Sequence, residues 1–363
     1  MKYDFTTLPE RYGKDALAVD GLGKGWAPPV PKEGFDAIPM WVADMNFATV
    51  PTVTEAILER AKHATYGYFN TREEYYDSII RWQSTQNSMT PKKEDIAYQN
   101  GVLGGLLSAV RALCSAGEKI LVHSPTYIGF TNSLGDNGYK LIHSELVKDE
   151  KGVYRMNLAD MEQKILDNGI HVAIFCSPHN PCGRVWEKSE IEAAMELFKK
   201  HNVYVISDEI WSDIILNGNR HIPTQSVSED AKMRTVALYA PSKTFNLAGL
   251  IGAYQIIYNP WLRDRTNRES ALTHYNNINV LSMHALIGAY KDEGYEWVDE
   301  LRTTLSENIN FACEYISKNL NGVEVSKPEG TYMLFLDCKE WLAKNNANMD
   351  ELLKRGWDVG VVW

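Results

Sequence analysis

The chain reads as an α/β protein, a mostly parallel sheet flanked by helices with a smaller α+β unit attached. Three observations predict this. Short apolar runs rich in Val, Ile and Tyr, each closed by turn residues, occur in His171-Val-Ala-Ile-Phe-Cys-Ser-Pro-His-Asn-Pro-Cys-Gly183, in Val203-Tyr-Val-Ile-Ser-Asp-Glu-Ile-Trp211 and in the run that starts at Thr235; such runs are buried strands. Helix and strand signals alternate from about residue 52, the grammar of βαβ units. After Lys243 the pattern changes to a helix-rich stretch over 261–319, then Val323-Glu-Val and Gly330-Thr-Tyr-Met-Leu-Phe-Leu-Asp337, which read as a separate α+β piece.

In chain order, residues 21–31 carry glycines that mimic part of a nucleotide loop, but no strand precedes them and prolines follow. A surface arm is expected there. Residues 52–64 and 100–116 read as helices, and 119–123 as the strand after the second. Ser189-Glu-Ile-Glu192 is a capping-box pattern opening a helix toward Lys200, and the strand 203–207 follows it.

With 363 residues the chain is long enough for two domains. Its formal net charge is −10, without a Lys/Arg stripe, so no nucleic-acid partner is expected. The start lacks an apolar signal-like stretch, and no apolar run approaches the ~20 residues that cross a bilayer; no membrane association and a cytoplasmic location are expected. The five cysteines are an odd number without framework spacing, which suits a reducing compartment. His171, Cys176, His179 and Cys182 lie close in sequence but fit no common zinc spacing, so no metal is expected on them.

Ligands of α/β sheets sit beyond the carboxyl ends of the strands. Asn180, Asp208 and Lys243 each follow an apolar run and are therefore expected to converge. Asn, Asp and Lys are the groups that pyridoxal 5′-phosphate needs. The lysine forms a Schiff base with the aldehyde, the carboxylate keeps the pyridine nitrogen protonated, and the amide hydrogen-bonds the ring 3′-oxygen.

At these residues the chain resembles the fold-type I pyridoxal-phosphate enzymes, the aspartate-aminotransferase (aminotransferase class I/II) superfamily, over nearly its whole length. Asn180 to Asp208 spans 28 positions and Asp208 to Lys243 spans 35, both close to the family interval. The words Met40-Trp-Val-Ala-Asp-Met-Asn-Phe47, Tyr66-Gly-Tyr68, Ser124-Pro-Thr-Tyr127, Pro178-His-Asn-Pro181, Ser207-Asp-Glu-Ile210 and Ala240-Pro-Ser-Lys-Thr-Phe-Asn246 are similar to the cystathionine β-lyase and cysteine-conjugate C–S lyase branch.

The resemblance implies a large cofactor-binding domain over 49–286 and a small domain from 1–48 and 287–363. It also implies that the cofactor phosphate sits at the helix start Asn100–Gly105, on the amides of Val102 and Leu103 with the Ser242 hydroxyl. Tyr127 is then expected to stack on the pyridine ring. Tyr68 is expected to reach the phosphate of a neighbouring subunit, which makes the enzyme a homodimer with a shared site.

Ile251 stands where many transaminases place a phosphate-binding arginine, which favours the lyase branch over them. Trp211 departs from the family pattern, standing where relatives carry Tyr or His, and Asn46 stands where they often carry Asp. No arginine follows Arg355, whereas the family binds the substrate carboxylate with an arginine near its carboxyl terminus. The expectation is a chain cut short before that residue.

For activity, the resemblance implies β-elimination from L-cystathionine or a related sulfur amino acid, with thiol, pyruvate and ammonia as products. An aminotransferase on the same cofactor geometry is the alternative. A third reading, from another class, is a cofactor-binding protein that regulates by contacting a transcription factor.

Overall fold

The computed structural model describes residues 1–345 apart from 26, 37, 273 and 275. The expected truncation, with Arg355, lies outside the described residues. Seven strands form the central sheet: β1 (Ile96–Gln99), β2 (Lys119–Ser124), β3 (Lys140–Glu145), β4 (Val172–Cys176), β5 (Tyr204–Asp208), β6 (Thr235–Tyr239) and β7 (Ala253–Ile256). Their spatial order is β1-β7-β6-β5-β4-β2-β3. β7 runs antiparallel to both neighbours, and the remaining pairs are parallel.

Every residue of β4 and β6 is buried, as a sheet covered on both faces requires. The period of two distributes them. Ile174, Ile206, Val236 and Leu238 pack on Leu106 and Val110 of the helix Val102–Leu113, while Phe175 and Val205 pack on Ile191, Met195 and Phe198 of the helix Lys188–Lys200. A third cluster joins Tyr239 and Tyr254 to Trp82, Phe245 and Trp297. It also takes in Phe5, whose ring lies 5.3 Å from both Phe47 and Trp297. Glu300 accepts hydrogen bonds from the amides of Lys2 and Tyr3, so the amino-terminal arm is tied to the helix Asp292–Asn319.

Element boundaries differ from the sequence expectations for local reasons. The helix expected over 100–116 spans Val102–Leu113, because Gly101 at φ 77° stands outside it and Cys114 is extended. The capping box is not Ser189 with Glu192 but Glu187 with Glu190. The same three-residue spacing fits both pairs, and Glu190 is drawn to the earlier one by its 2.5 Å ion pair with the buried Arg184. Gly330–Asp337, part of the expected α+β piece, is a broken segment. Thr331 at φ 66° interrupts it, leaving Leu336–Asp337 paired with Glu324–Val325 and a lone bridge from Gly330 to Ile215.

Candidate active site

The register of the parallel strands sets Cys176, Asp208 and Leu238 side by side at the carboxyl edge. Ser177 N–H donates to Asp208 O at 2.9 Å and Glu209 N–H to Leu238 O at 2.9 Å, which carries the alignment one residue further. The loops bearing Asn180 and Lys243 leave from this line. The structure thus brings Asn180, Asp208 and Lys243 to one edge of the sheet.

Asp208 and Glu209 are adjacent, buried, and in opposite electrostatic situations. Glu209 accepts from Ser207 Oγ (2.9 Å), Thr224 N (3.1 Å), Tyr239 Oη (2.7 Å) and His221 Nε2 (2.8 Å). Asp208 Oδ1 accepts from Ile210 N–H at 3.1 Å, and among the described residues no donor reaches Oδ2. Burial therefore pushes the Asp208 carboxyl up to about 7, with Glu209 adding to the rise and Lys243 opposing it.

Lys243 Nζ donates to Ala43 O at 2.8 Å and stands 5.6 Å from the Trp211 ring. Burial lowers its pKa, against the pull of the Asp44 and Asp208 carboxylates. Trp211 is buried and packs edge-on against Tyr332 at 4.8 Å, so its indole forms part of the wall beside the amine.

Asn180 is buried in a tight loop. His179 N–H donates to Arg184 O and Gly183 N–H to His179 O, both at 2.8 Å, and Asn180 N–H reaches Cys176 Sγ at 3.4 Å. His179 Nε2 bonds Pro125 O at 2.8 Å, linking this loop to the one that carries Tyr127. Gly183 holds φ +66° where a Cβ would stand 2.4 Å from Pro328 Cβ, so glycine is required. Tyr127 is partly buried at the start of the helix Ile128–Asp136, edge-on to Phe130 at 5.3 Å, and burial raises its pKa with the Asp208 charge adding to it.

At the next strand end Gly101 turns the chain into the helix Val102–Leu113. The first helical bond to it is Gly105 N–H to Gly101 O at 3.0 Å, so the amides of Val102 and Leu103 have no acceptor within the helix. Ser242 is partly buried beside Lys243. Ile251 also reaches this turn, within 4.0 Å of where a Gly101 Cβ would be, and its carbonyl accepts from Tyr98 Oη at 2.9 Å. Tyr68 is fully exposed, and within one chain it does not join the other residues.

Sequence reasoning missed the arm. Ala43 O meets the lysine, and Asp44 faces it while pairing with Arg11 at 2.6 Å. Asn246 accepts from Met45 N–H at 3.1 Å and donates to Met45 O at 2.9 Å and Phe47 O at 3.3 Å. The available signal was the word Met40–Phe47, which marked the segment without giving it a role.

These residues fit pyridoxal 5′-phosphate. A partly buried amine, a buried carboxyl with an oxygen that no donor among the described residues reaches, and helix-start amides without a helical acceptor match its aldehyde, ring nitrogen and phosphate.

Residues 37–361 match the aminotransferase class I and II family. The chain is 32% identical to the Bacillus subtilis cystathionine beta-lyase PatB, over 97% of this chain and 89% of that protein. Among solved structures, a PLP-bound putative aminotransferase from Clostridium difficile aligns with TM-score 0.85 and 34% identity, covering 92% of this chain and 84% of that one. Cystalysin from Treponema denticola, which contains pyridoxal 5′-phosphate, aligns with TM-score 0.89 and 28% identity, covering 98% and 87%.

Proposed function

The chain belongs to the aminotransferase class I and II family, and from that premise we propose that it is a carbon–sulfur β-lyase acting on L-cystathionine or a related sulfur amino acid. Its cofactor is pyridoxal 5′-phosphate. The observation that carries the reading is Lys243, a partly buried amine of lowered pKa beside Asp208, at the strand edge shared with Asn180. The likeness to PatB, a cystathionine beta-lyase, supports the sulfur chemistry.

Bound there, the cofactor supplies an electron sink for the charge left at the substrate Cα. Lys243 would hold the aldehyde and would serve as the base at the Cα proton, a task helped by the burial that lowers the pKa of its amine. Asp208 would pair its carboxylate with the ring nitrogen and keep that nitrogen protonated. Asn180 would hydrogen-bond the 3′-oxygen, and Tyr127 would stack on the ring. Val102, Leu103 and Ser242 take the phosphate. A thiolate leaves from Cβ, and the remainder is hydrolysed to pyruvate and ammonia.

The reading includes a cytoplasmic homodimer in which Tyr68 of a second copy completes the phosphate site. Its full exposure in the single chain and the five free cysteines support this. The arm packed on the helix Asp292–Asn319 likewise supports a small domain of 1–48 and 287–363 beside a large one of 49–286. No described helix is long and apolar enough to cross a membrane.

A second reading, aminotransfer, is favoured by the Clostridium difficile neighbour. One assay separates them. Holoenzyme given cystathionine without a keto acid is expected to form pyruvate; no pyruvate, together with amino transfer to an added keto acid, would reverse the choice.

A further inference from the structure

Three metal-ligating side chains meet at the edge of the sheet opposite the catalytic one. Cys114 caps the carboxyl end of the helix Val102–Leu113, Glu118 immediately precedes β2, and His171 immediately precedes β4. His171 Nε2 lies 3.9 Å from Cys114 Sγ and 3.6 Å from Glu118 Oε2, and the three ligand atoms are all within 4.8 Å of one another. Zinc bound tetrahedrally at bond lengths of about 2.0–2.3 Å holds its ligand atoms roughly 3.3–3.8 Å apart. The two separations from His171 stand near that spacing before any side chain moves.

We propose that Cys114, Glu118 and His171 form a divalent zinc site with water as the fourth ligand. The charges balance: a thiolate and a carboxylate against a dication, with the imidazole neutral. The thiol gives its proton to solvent on binding, and His171 Nε2, whose N–H now points to the Leu113 carbonyl at 3.2 Å, donates its lone pair to zinc once the ring proton has moved to Nδ1. Cys114 is buried, whereas the side chains of His171 and Glu118 are each 39% exposed, which leaves a route for the ion and room for its water. Ser115 N–H donates to Glu118 Oε2 at 2.7 Å and holds the carboxylate toward the cluster.

The site shares only His171 with the grouping near Asn180 that sequence spacing ruled out, and its ligands come from two connections far apart in the chain, Cys114 and Glu118 from the loop before β2 and His171 from the loop before β4. Its position gives it a structural role. It ties the end of a helix whose other end carries the amides of Val102 and Leu103 to β4, the strand that leads to Asn180.

Chelator-washed holoenzyme titrated with Zn2+ against a chromophoric chelator tests this. One equivalent is expected to bind with one sulfur in the zinc absorption-edge spectrum, and to raise the melting temperature. Cys114→Ser, His171→Ala and Glu118→Gln are each expected to weaken binding about tenfold or more and to lose the thermal shift. His171 and Glu118 are partly exposed, so their variants decide the matter even where Cys114→Ser folds poorly. A Cys313→Ser/Cys338→Ser variant is expected to bind as the parent does. Absence of tight binding, a sulfur-free shell, or equal affinity in His171→Ala and Glu118→Gln overturns the proposal.

Discussion

Lys243 and Ala43 are joined by a 2.8 Å hydrogen bond from amine to backbone carbonyl, across 200 positions of sequence. The bond makes the amino-terminal arm a wall of the site rather than a tail. Three residues after the lysine, Asn246 grips the same arm through Met45 and Phe47.

Lys243→Ala is expected to abolish covalent attachment of the cofactor. Borohydride reduction of the parent followed by peptide mass mapping should place the pyridoxyl group on the Lys243 peptide. A labelled peptide elsewhere would move the attachment site.

Asn246 sits at φ 57°, a conformation that glycine adopts freely. Asn246→Gly therefore removes the side-chain bonds without adding backbone strain. It is expected to lower stability by about 1–2 kcal/mol and to raise KM, because the arm no longer closes the wall. Denaturant midpoints and steady-state kinetics check both.

Asp208→Asn is expected to lower kcat by orders of magnitude while the fold persists. It also has a pH signature in the cofactor-free protein. The folded carboxyl titrates at about 7 against an ordinary value of 3.8, so between these values the folded state binds more protons than the unfolded one. Stability from this group is present below pH 4 and falls as pH rises to 7, by roughly 4 kcal/mol at full effect. The parent should lose stability relative to Asp208→Asn across that window. A constant difference would show that the carboxyl titrates normally.

Gly183→Ala is expected to cost about 1–3 kcal/mol and to lower turnover. The added methyl meets Pro328 and the Gly330 carbonyl at a positive φ, and the displaced loop carries Asn180. Thermal melts and kcat measure the two effects.

The strand ends were legible in sequence because buried parallel strands are continuous apolar runs and their loaded loops follow directly. Asn180, Asp208 and Lys243 needed only that rule and a spacing. Ala43, Asp44 and Asn246 escaped it because their partners lie some 200 positions away and a backbone carbonyl has no signature. Glu209 escaped it because nothing in Ser207-Asp-Glu-Ile210 says which carboxylate is satisfied by four donors and which by one. The cap at Glu187 was misplaced because Arg184, which selects Glu190, acts through a buried ion pair rather than through helix pattern.

The antiparallel direction of β7 has a practical meaning for protein engineering. A parallel successor to β6 would have to return along the face of the sheet before pairing. β7 instead starts at the edge where β6 ends, so the whole connection from Ala240 to Gly252 stays on the catalytic side. Lys243, Ser242, Asn246 and Ile251 are thereby strung on one short span with no detour to absorb extra length. Inserted residues or fusion tags placed between β6 and β7 should disturb several contacts at once, whereas the exposed turn tip Glu150–Lys151 offers a safer graft point.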